Sequence, residues 1–267
     1  MQADNNADLG RALCIITGAS RGFGRAAAKT ISRVLKPGSA FVLAARSAEG
    51  LRTLKAELTE ADGGKGDLVI CCVAADLALM DGVESVVKAA KETFVEGIEH
   101  IILINNAACL GDVSRYFRSF TDMAEVDSYW SFNVTSALCL TSGILQAFPK
   151  SPNRRRTMVN ISSLCGIRPY PSWVLYCSGK AARDMMFKVL AEEEPDVRVL
   201  NYAPGPLDTD MMVTAKTMTA DPGLKDLCID LTENRKLLTC ETSCAKMLKL
   251  LLEDSYASGA HVDVFDP

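Results

Sequence analysis

The stretch that decides the fold lies near the start of the chain and reads Leu13-Cys14-Ile15-Ile16-Thr17-Gly18-Ala19-Ser20-Arg21-Gly22-Phe23-Gly24. Its apolar first part predicts a buried strand, its glycines a tight turn, and the alanine-rich run after it a helix. Glycines let the backbone approach a phosphate, and the helix N-terminus offers free N–H groups to it. The spacing is not the Gly-x-Gly-x-x-Gly of the common dinucleotide pattern. Taken alone, the turn is also compatible with a plain strand-to-helix connection.

Outward from this stretch, strand-like runs alternate with helical segments. Most of the strand-like runs are continuously apolar, which is typical of parallel strands covered on both faces. The alternation predicts an α/β fold, a doubly wound sheet of about seven parallel strands with helices on both faces, in a single domain over residues 10–267. Residues 1–9 are predicted to be a flexible N-terminus. The predicted strands are 12–17, 40–45, 68–74, 100–105, 156–161, 197–203 and 261–265, and the predicted helices are 22–35, 49–60, 79–94, 123–148, 172–194 and 242–253.

Composition narrows the function classes. The net charge of −4 leaves no basic footprint for nucleic acid. Ten cysteines form no Cys-x-x-Cys pair, and with only two histidines they predict no zinc site. Unpatterned cysteines and the lack of an apolar N-terminal stretch predict a cytoplasmic protein without a membrane span.

Three residues near the middle of the chain predict proton-transfer chemistry: Ser163, Tyr176 and Lys180. Tyr176 and Lys180 are four residues apart, so on a helix they lie on one face. A nearby cation is expected to lower the pKa of the tyrosine, and a serine hydroxyl can hold a carbonyl oxygen beside the phenol. This combination suits interconversion of a ketone and an alcohol if a hydride carrier binds next to it.

The chain resembles the short-chain dehydrogenase/reductase family over about residues 10–267. The motifs that carry the resemblance are Thr17-Gly18-x-x-x-Gly22-x-Gly24, Asn105-Asn106-Ala107, Ser163, Tyr176-x-x-x-Lys180 and Pro204-Gly205. Residues 160–165, 176–185, 201–210 and 258–263 extend the similarity to the pterin-reducing members of this family. The resemblance implies a Rossmann-like fold, a homodimer that pairs long helices, and a nicotinamide cofactor.

The predicted cofactor is NADP(H). Arg46 stands at the end of the second strand, where a member that prefers NAD would carry Asp or Glu. An arginine there suits a 2′-phosphate, and Arg21 could supply a second cation. The alternative is that both arginines are ordinary surface residues. The full predicted cofactor set is Gly18, Ser20, Arg21, Gly22, Phe23, Gly24, Arg46, Ser47, Asp76, Leu77, Asn105, Ala107, Tyr176, Lys180, Pro204, Leu207, Asp208, Thr209 and Met211.

Two positions in this set carry a reservation. Asp76, which the family places near the adenine, could equally cap the helix that follows it. The family motif that begins at Asn105 usually ends in glycine, and here Ala108 stands in that place.

By resemblance, the catalytic residues are Ser163, Tyr176, Lys180 and Asn133. Tyr176 would act as the general acid, Lys180 would also contact the nicotinamide ribose, and Asn133 would relay protons through water. The predicted substrate residues are Ser163, Leu164, Tyr176, Gly205 and Asp263, with Cys165, Trp173 and Met211 as further apolar wall residues. By the same resemblance, Asp263 matches the aspartate that anchors the pterin. A carboxylate suits this task, because it can accept from two neighbouring N–H groups of the pterin ring. Asp263 could also be a surface residue at a strand end.

Residues 207–238 break the alternation and are predicted to cover the substrate, although a surface excursion without contact is also possible. The resulting hypothesis is NADPH-dependent reduction of pterin side-chain ketones, 6-pyruvoyl-tetrahydropterin and sepiapterin, in the final step of tetrahydrobiopterin biosynthesis. Two alternatives stay open: a broader carbonyl reductase of dicarbonyl or other ketone substrates, and a non-catalytic NADP(H)-sensing protein.

Overall fold

The computed structural model describes residues 8–61, 63 and 68–267, and within them the chain forms one seven-stranded parallel sheet. Its order is β3-β2-β1-β4-β5-β6-β7. The strands are β1 (Ala12–Thr17), β2 (Ala40–Ala45), β3 (Val69–Ala74), β4 (His100–Asn105), β5 (Arg155–Ile161), β6 (Val197–Ala203) and β7 (His261–Asp263).

The strand order reverses at β1, which pairs with β2 on one side and with β4 on the other. In a doubly wound sheet this reversal opens a crevice at the carboxyl ends of the strands, where ligands bind. The glycine turn after Thr17 lies at that point, so the fold brings the predicted phosphate cradle to the predicted ligand crevice.

Two apolar cores lie on the two faces of the sheet. Because side chains alternate along a strand, Cys14 and Ile16 pack into one core while Leu13 and Ile15 pack into the other. The first core holds α1, α2 and α9, and the second holds α3, α5 and α6. The helices are α1 (Gly22–Ser32), α2 (Ala48–Ala61), α3 (Met80–Thr93), α4 (Met123–Trp130), α5 (Ser136–Ala147), α6 (Val174–Glu193), α7 (Asp210–Met218), α8 (Pro222–Glu233) and α9 (Cys240–Glu253).

The predicted strands agree closely with the observed ones, and the helices differ in two places. The segment predicted as one helix over 123–148 is α4 and α5 joined by a π-helical turn at Ser131–Thr135. Residues 207–238, for which no strand was predicted, contain α7 and α8 with a single bridge between Leu207 and Leu238 at their ends. A π turn is a common sign of a functional position within a helix.

Part of the predicted flexible N-terminus is packed onto the domain. Leu9 is buried, its N–H donates to the Val34 oxygen at 3.0 Å, and its carbonyl accepts from His100. Residues 1–7 lie outside the described residues. Among the helices that the structure describes, no segment has the length and apolarity required to cross a membrane.

Candidate active site

A cleft of about 1400 Å³ lies at the carboxyl ends of the strands. Typical single-ligand pockets measure roughly 300–1,000 Å³, so this cleft has room for a large cofactor and a second molecule. One end is formed by the turn after β1 and the end of β2. The other end is formed by residues after β5 and β6, by β7, and by α7 and α8.

The glycine turn is built so that its backbone faces the cleft. Gly18 and Gly22 have φ angles of 66° and 53°, which favour glycine. Gly24 lies behind the turn, where an added Cβ would come within 2.4 Å of the Gly18 oxygen. The close approach of α1 to the turn therefore requires glycine at position 24. Gly18, Ser20, Arg21, Gly22 and Phe23 line the cleft.

Asn106 holds this turn in place and is a functional residue that the sequence analysis did not select. Its Nδ2 donates to the Thr17 oxygen at 2.8 Å and to the Gly18 oxygen at 3.3 Å. The Thr17 hydroxyl in turn accepts from the Asn106 and Ala107 N–H groups. The sequence did carry a signal for this residue, because Asn106 stands inside the Asn105-Asn106-Ala107 motif.

The end of β2 carries a positively charged wall. Arg46 and Ser47 line the cleft, and the Ser47 hydroxyl accepts from the Gly50 N–H at 3.1 Å in the first turn of α2. Arg46 is exposed, lies 5.8 Å over the Phe132 ring, and pairs with no carboxylate in the described part of the chain. Arg21 differs, because it forms an ion pair with Asp210 at 2.5 Å.

These observations fit a dinucleotide. A glycine-lined turn at a helix start presents N–H groups to a pyrophosphate, and Arg46 presents to the cleft a guanidinium that has no carboxylate partner among the described residues. The other predicted cofactor residues that line the cleft are Leu77, Ala107, Tyr176, Lys180, Pro204, Leu207, Asp208, Thr209 and Met211.

Four predicted site residues lie outside the lining of the cleft. Gly24 supports the turn from behind, and Asp76 accepts from the Ala78 N–H at 3.0 Å, in a turn just before α3. Asn105 is buried, with its side chain donating to Thr141. Asn133 lies in the π turn, where its Oδ1 accepts from the Cys109 N–H at 2.8 Å. Each of these shapes the backbone around the cleft.

Ser163 and Tyr176 meet at the centre of the cleft. β5 ends at Ile161, and Ser163 begins a short 3₁₀ turn in which its Oγ accepts from the Cys165 N–H at 3.2 Å. Tyr176 lies in the first turn of α6, and Ser163 lies close enough to lower the pKa of its hydroxyl. Trp173 packs edge-on against the Tyr176 ring at 5.7 Å, which fixes the orientation of the phenol.

The lowering of the Tyr176 pKa expected from Lys180 stays a prediction, and burial opposes it. Burial raises the pKa of Tyr176 above its usual value of 10, and this exceeds the lowering by Ser163 and Arg183. Burial also lowers the pKa of Lys180 to about 7, with the charge of Arg183 as a second cause. The Lys180 Nζ donates to the Ile161 oxygen at 2.6 Å and lies 5.5 Å from the Tyr176 ring centre. Tyr176 is therefore protonated at neutral pH, and Lys180 can gain or lose a proton there.

The other end of the cleft is the predicted substrate side. Leu164, Cys165, Trp173, Gly205, Met211 and Asp263 all line it. Gly205 has a φ of 75°, and a Cβ there would meet Val264 at 2.7 Å, so the chain passes close to β7 only because this residue is glycine. Asp263 accepts from the Phe265 N–H through Oδ1, and its Oδ2 accepts from none of the described residues.

α7 and α8 form an apolar wall over this end. Ala215, Leu224 and Cys228 from these helices pack with Trp173 and Tyr176 in one cluster. The Trp173 indole N–H donates to Thr219 at 3.0 Å, which ties the end of α7 to the entry of α6. These contacts place the 207–238 segment against the substrate side of the cleft.

Beneath the cleft lies a buried polar network that the sequence analysis did not find. Arg183 donates to Asn160 at 2.8 Å and to the Asn105 oxygen at 2.5 Å. Asp184 accepts from Asn160 at 3.1 Å and pairs with His261 at 2.7 Å. Asn105, Asn160 and His261 come from three different strands, so no local spacing could have predicted their contact. Nowhere in residues 8–61, 63 and 68–267 do three metal-binding side chains cluster.

Both the sequence and the fold are similar to those of known proteins. The family model for short chain dehydrogenase matches residues 12–220. Sepiapterin reductase of Mus musculus is 51% identical over 267 residues and covers 100% of both chains, and that of Xenopus tropicalis is 51% identical over 258 residues, 97% of this chain and 98% of its own. The crystal structure of L-sorbose reductase from Gluconobacter frateurii, complexed with NADPH and L-sorbose, superimposes with a TM-score of 0.78 at 25% identity, covering 97% and 96% of the two chains.

Proposed function

The chain belongs to the short-chain dehydrogenase family, and we propose that it is an NADPH-dependent reductase of pterin side-chain ketones. The single observation that carries the proposal is the cleft itself. It joins a glycine cradle, Ser163, a protonated Tyr176, and an Asp263 carboxylate whose Oδ2 accepts no hydrogen bond from the described residues. Full-length similarity to sepiapterin reductases supports sepiapterin and 6-pyruvoyl-tetrahydropterin as substrates, in the last step of tetrahydrobiopterin synthesis.

The chain binds a nicotinamide cofactor, and we propose that the preferred form is NADP(H). Arg46 carries this preference, because it lines the cleft at the end of β2 and has no carboxylate partner among the residues described. A 2′-phosphate would supply the missing anion through two parallel hydrogen bonds. Arg21 is a weaker candidate for this contact, since Asp210 already neutralises it.

The proposed mechanism assigns one task to each central side chain. The bound nicotinamide supplies a hydride to the carbonyl carbon of the substrate. Tyr176 donates its phenolic proton to the carbonyl oxygen, because its raised pKa keeps the hydroxyl protonated at neutral pH. Ser163, which lines the cleft together with Tyr176, holds the same oxygen and polarises the carbonyl bond.

Lys180 restores the proton that Tyr176 gives away. Its pKa of about 7 lets it take up and release a proton at neutral pH without a large energetic cost. Asn133 holds the Cys109 N–H from the π turn and remains the proposed relay that connects Lys180 to water.

Asp263 anchors the pterin in this proposal. The pyrimidine edge of a pterin presents a ring N–H and an amino group side by side, and one carboxylate can accept from both. The apolar wall of Trp173, Ala215 and Leu224 then contacts the faces of the ring, and α7 and α8 cover it. With the ring held at Asp263, the side-chain ketone is directed toward Tyr176.

We also propose a cytoplasmic homodimer. The outer faces of α5 and α6 carry Leu138, which is 52% exposed, and Met185, which is 59% exposed. Exposed apolar side chains on two neighbouring long helices suit pairing with a second copy. Replacing both residues with aspartate should convert a dimer to a monomer in light scattering. A wild type that is already monomeric would contradict this part of the proposal.

The proposed function is tested by comparing two substrates in two proteins. NADPH oxidation is followed with sepiapterin and with a simple diketone, for the wild type and for Asp263→Ala. We expect the wild type to reduce sepiapterin and the variant to lose about tenfold or more in kcat/KM for sepiapterin, because a charged hydrogen-bond acceptor is removed. Turnover of the diketone but not of sepiapterin by the wild type would identify a general carbonyl reductase instead.

A further inference from the structure

The wall of the cleft next to Asp263 contains a histidine without an assigned task. His261 lies two residues before Asp263 in β7, so the two side chains share one face of the sheet. Both residues line the cleft. The His261 side chain is only 10% exposed, so the surrounding protein encloses most of its ring.

One ring nitrogen of His261 is held firmly. Nδ1 lies 2.7 Å from Oδ2 of Asp184, whose side chain is 4% exposed. A carboxylate oxygen can only accept, so the Nδ1 proton is donated to it. Asp184 is itself fixed by the Asn160 Nδ2 at 3.1 Å. This pairing sets the tautomer of the neutral ring and leaves a lone pair on Nε2.

The other nitrogen, Nε2, is buried and has no hydrogen-bond partner in the described structure. The Ser162 Oγ, from another residue that lines the cleft, is also buried without a partner. Ser162 lies near the Asp184 carboxylate that holds Nδ1, since a Cβ at Gly166 would lie 3.3 Å from the Ser162 Oγ and 2.9 Å from the Asp184 Oδ2. Buried polar atoms without partners cost free energy, so two of them at a ligand cleft indicate a ligand that completes them.

We propose that His261 is a positioning residue that selects nitrogen-bearing heterocycles. Its Nε2 accepts a hydrogen bond from a ring N–H of the substrate, directly or through one water, beside the carboxylate of Asp263. The inference rests on the proposed function, because a diketone has no N–H to offer. It adds a second polar contact to the substrate end of the cleft and gives Asp184 the task of orienting it.

The first experiment observes the nitrogen itself. His100 and His261 are the two histidines of the chain, so ¹⁵N-histidine labelling gives few signals, and His261→Gln assigns them. The labelled protein, with NADP⁺ bound, is titrated with sepiapterin. We expect the Nε2 signal of His261 to move with saturation. The signals of His100 should stay, since both of its nitrogens are already bonded, to Leu9 and Thr157 at the amino end of β4. A His261 signal that is unchanged at saturating sepiapterin overturns the inference.

The second experiment separates positioning from folding. We expect His261→Phe to raise the KM for sepiapterin about tenfold, and to lower the ratio of kcat/KM for sepiapterin to that for a diketone by a similar factor. His261→Gln keeps an acceptor and should restore most of the loss. The matched control is His100→Gln, which alters a buried histidine far from the cleft and should leave the ratio unchanged. If His261→Phe does not fold, the ¹⁵N titration of the wild type still decides.

The possible failures can be told apart. Wild-type turnover of sepiapterin, together with an unchanged ratio in His261→Phe, overturns this inference and leaves the proposed function standing. Absence of wild-type turnover with sepiapterin overturns both.

Discussion

The two ends of the cleft are built in different ways. The end after β1 is made mostly of backbone, with Gly18 and Gly22 in left-handed conformations and Asn106 bonded to the carbonyls of the turn. The end near β7 is made of side chains, with Tyr176, Asp263 and His261 brought together from α6 and β7. Backbone recognises what all dinucleotides share, whereas side chains distinguish one substrate from another. We therefore expect changes at the two ends to have separable effects on cofactor and substrate.

The largest expected effect is at the junction between the two ends. Replacing Tyr176 with phenylalanine removes the acid, and general acid catalysis is worth about 10²–10⁴ in rate. We expect kcat to fall at least about a hundredfold, while NADPH binding, followed by its fluorescence, stays near that of the wild type. The control is Tyr116→Phe at an exposed position. A Tyr176→Phe enzyme with wild-type turnover would eliminate the proposed proton donor.

The second-largest effect is expected at the cofactor end of the cleft. Arg46→Asp places a carboxylate where the 2′-phosphate is proposed to bind, and a hydrogen bond to a charged group is worth about 1.5–3 kcal/mol. We expect the preference for NADPH over NADH to fall by roughly tenfold to a hundredfold. Arg52→Asp, at a nearby exposed position in α2, is the matched control. An unchanged preference in Arg46→Asp would assign the phosphate contact elsewhere.

A smaller effect is expected at Asn106, whose side chain bonds to the backbone of the glycine turn. Asn106→Ala removes two hydrogen bonds to the glycine turn, so we expect a loss of about 1–3 kcal/mol in the free energy of unfolding and weaker NADPH binding. The KM for sepiapterin should change less than the Kd for NADPH. The control is Asn234→Ala, which removes an exposed asparagine side chain that donates to Asp230. Equal loss in both variants would mean that Asn106 has no special task at the turn.

The smallest effect concerns pH. The pKa of Lys180 is about 7 in the folded protein, against the 10.5 of an unperturbed lysine, so the unfolded chain binds more protons between these values. The contribution of Lys180 to the free energy of unfolding should therefore rise from pH 7 toward pH 9. Denaturant unfolding should show this rise in the wild type and a weaker one in Lys180→Met, with exposed Lys249→Met as the control. Identical slopes in the wild type and Lys180→Met would refute the lowered pKa.

The cofactor end could be predicted from sequence because its signals are local. A strand, a glycine turn and a helix start lie within residues 12–32, and five of the seven predicted strands begin at the observed residue. The Tyr176–Lys180 spacing likewise needs only one helix. The carboxyl-end crevice then follows from the parallel topology.

The substrate end could be predicted only in part, because its contacts join distant segments. The pairing of Asp184 with His261 spans 77 residues, and the bond between Trp173 and Thr219 spans 46. The direction of the Tyr176 pKa shift also depends on burial, which a spacing between residues does not give. The pairing of Arg21 with Asp210 is a further long-range contact of this kind, across 189 residues.

The separation of the two ends is tested most directly by a crossed measurement on Arg46→Asp and Asp263→Ala. The Kd for NADPH and the KM for sepiapterin are determined for both variants and for the wild type. We predict that Arg46→Asp raises the Kd for NADPH and leaves the KM for sepiapterin within about twofold, while Asp263→Ala does the reverse, since well-separated sites act independently. A variant that raises both constants equally would contradict the account of a cleft with a backbone-built cofactor end and a side-chain-built substrate end.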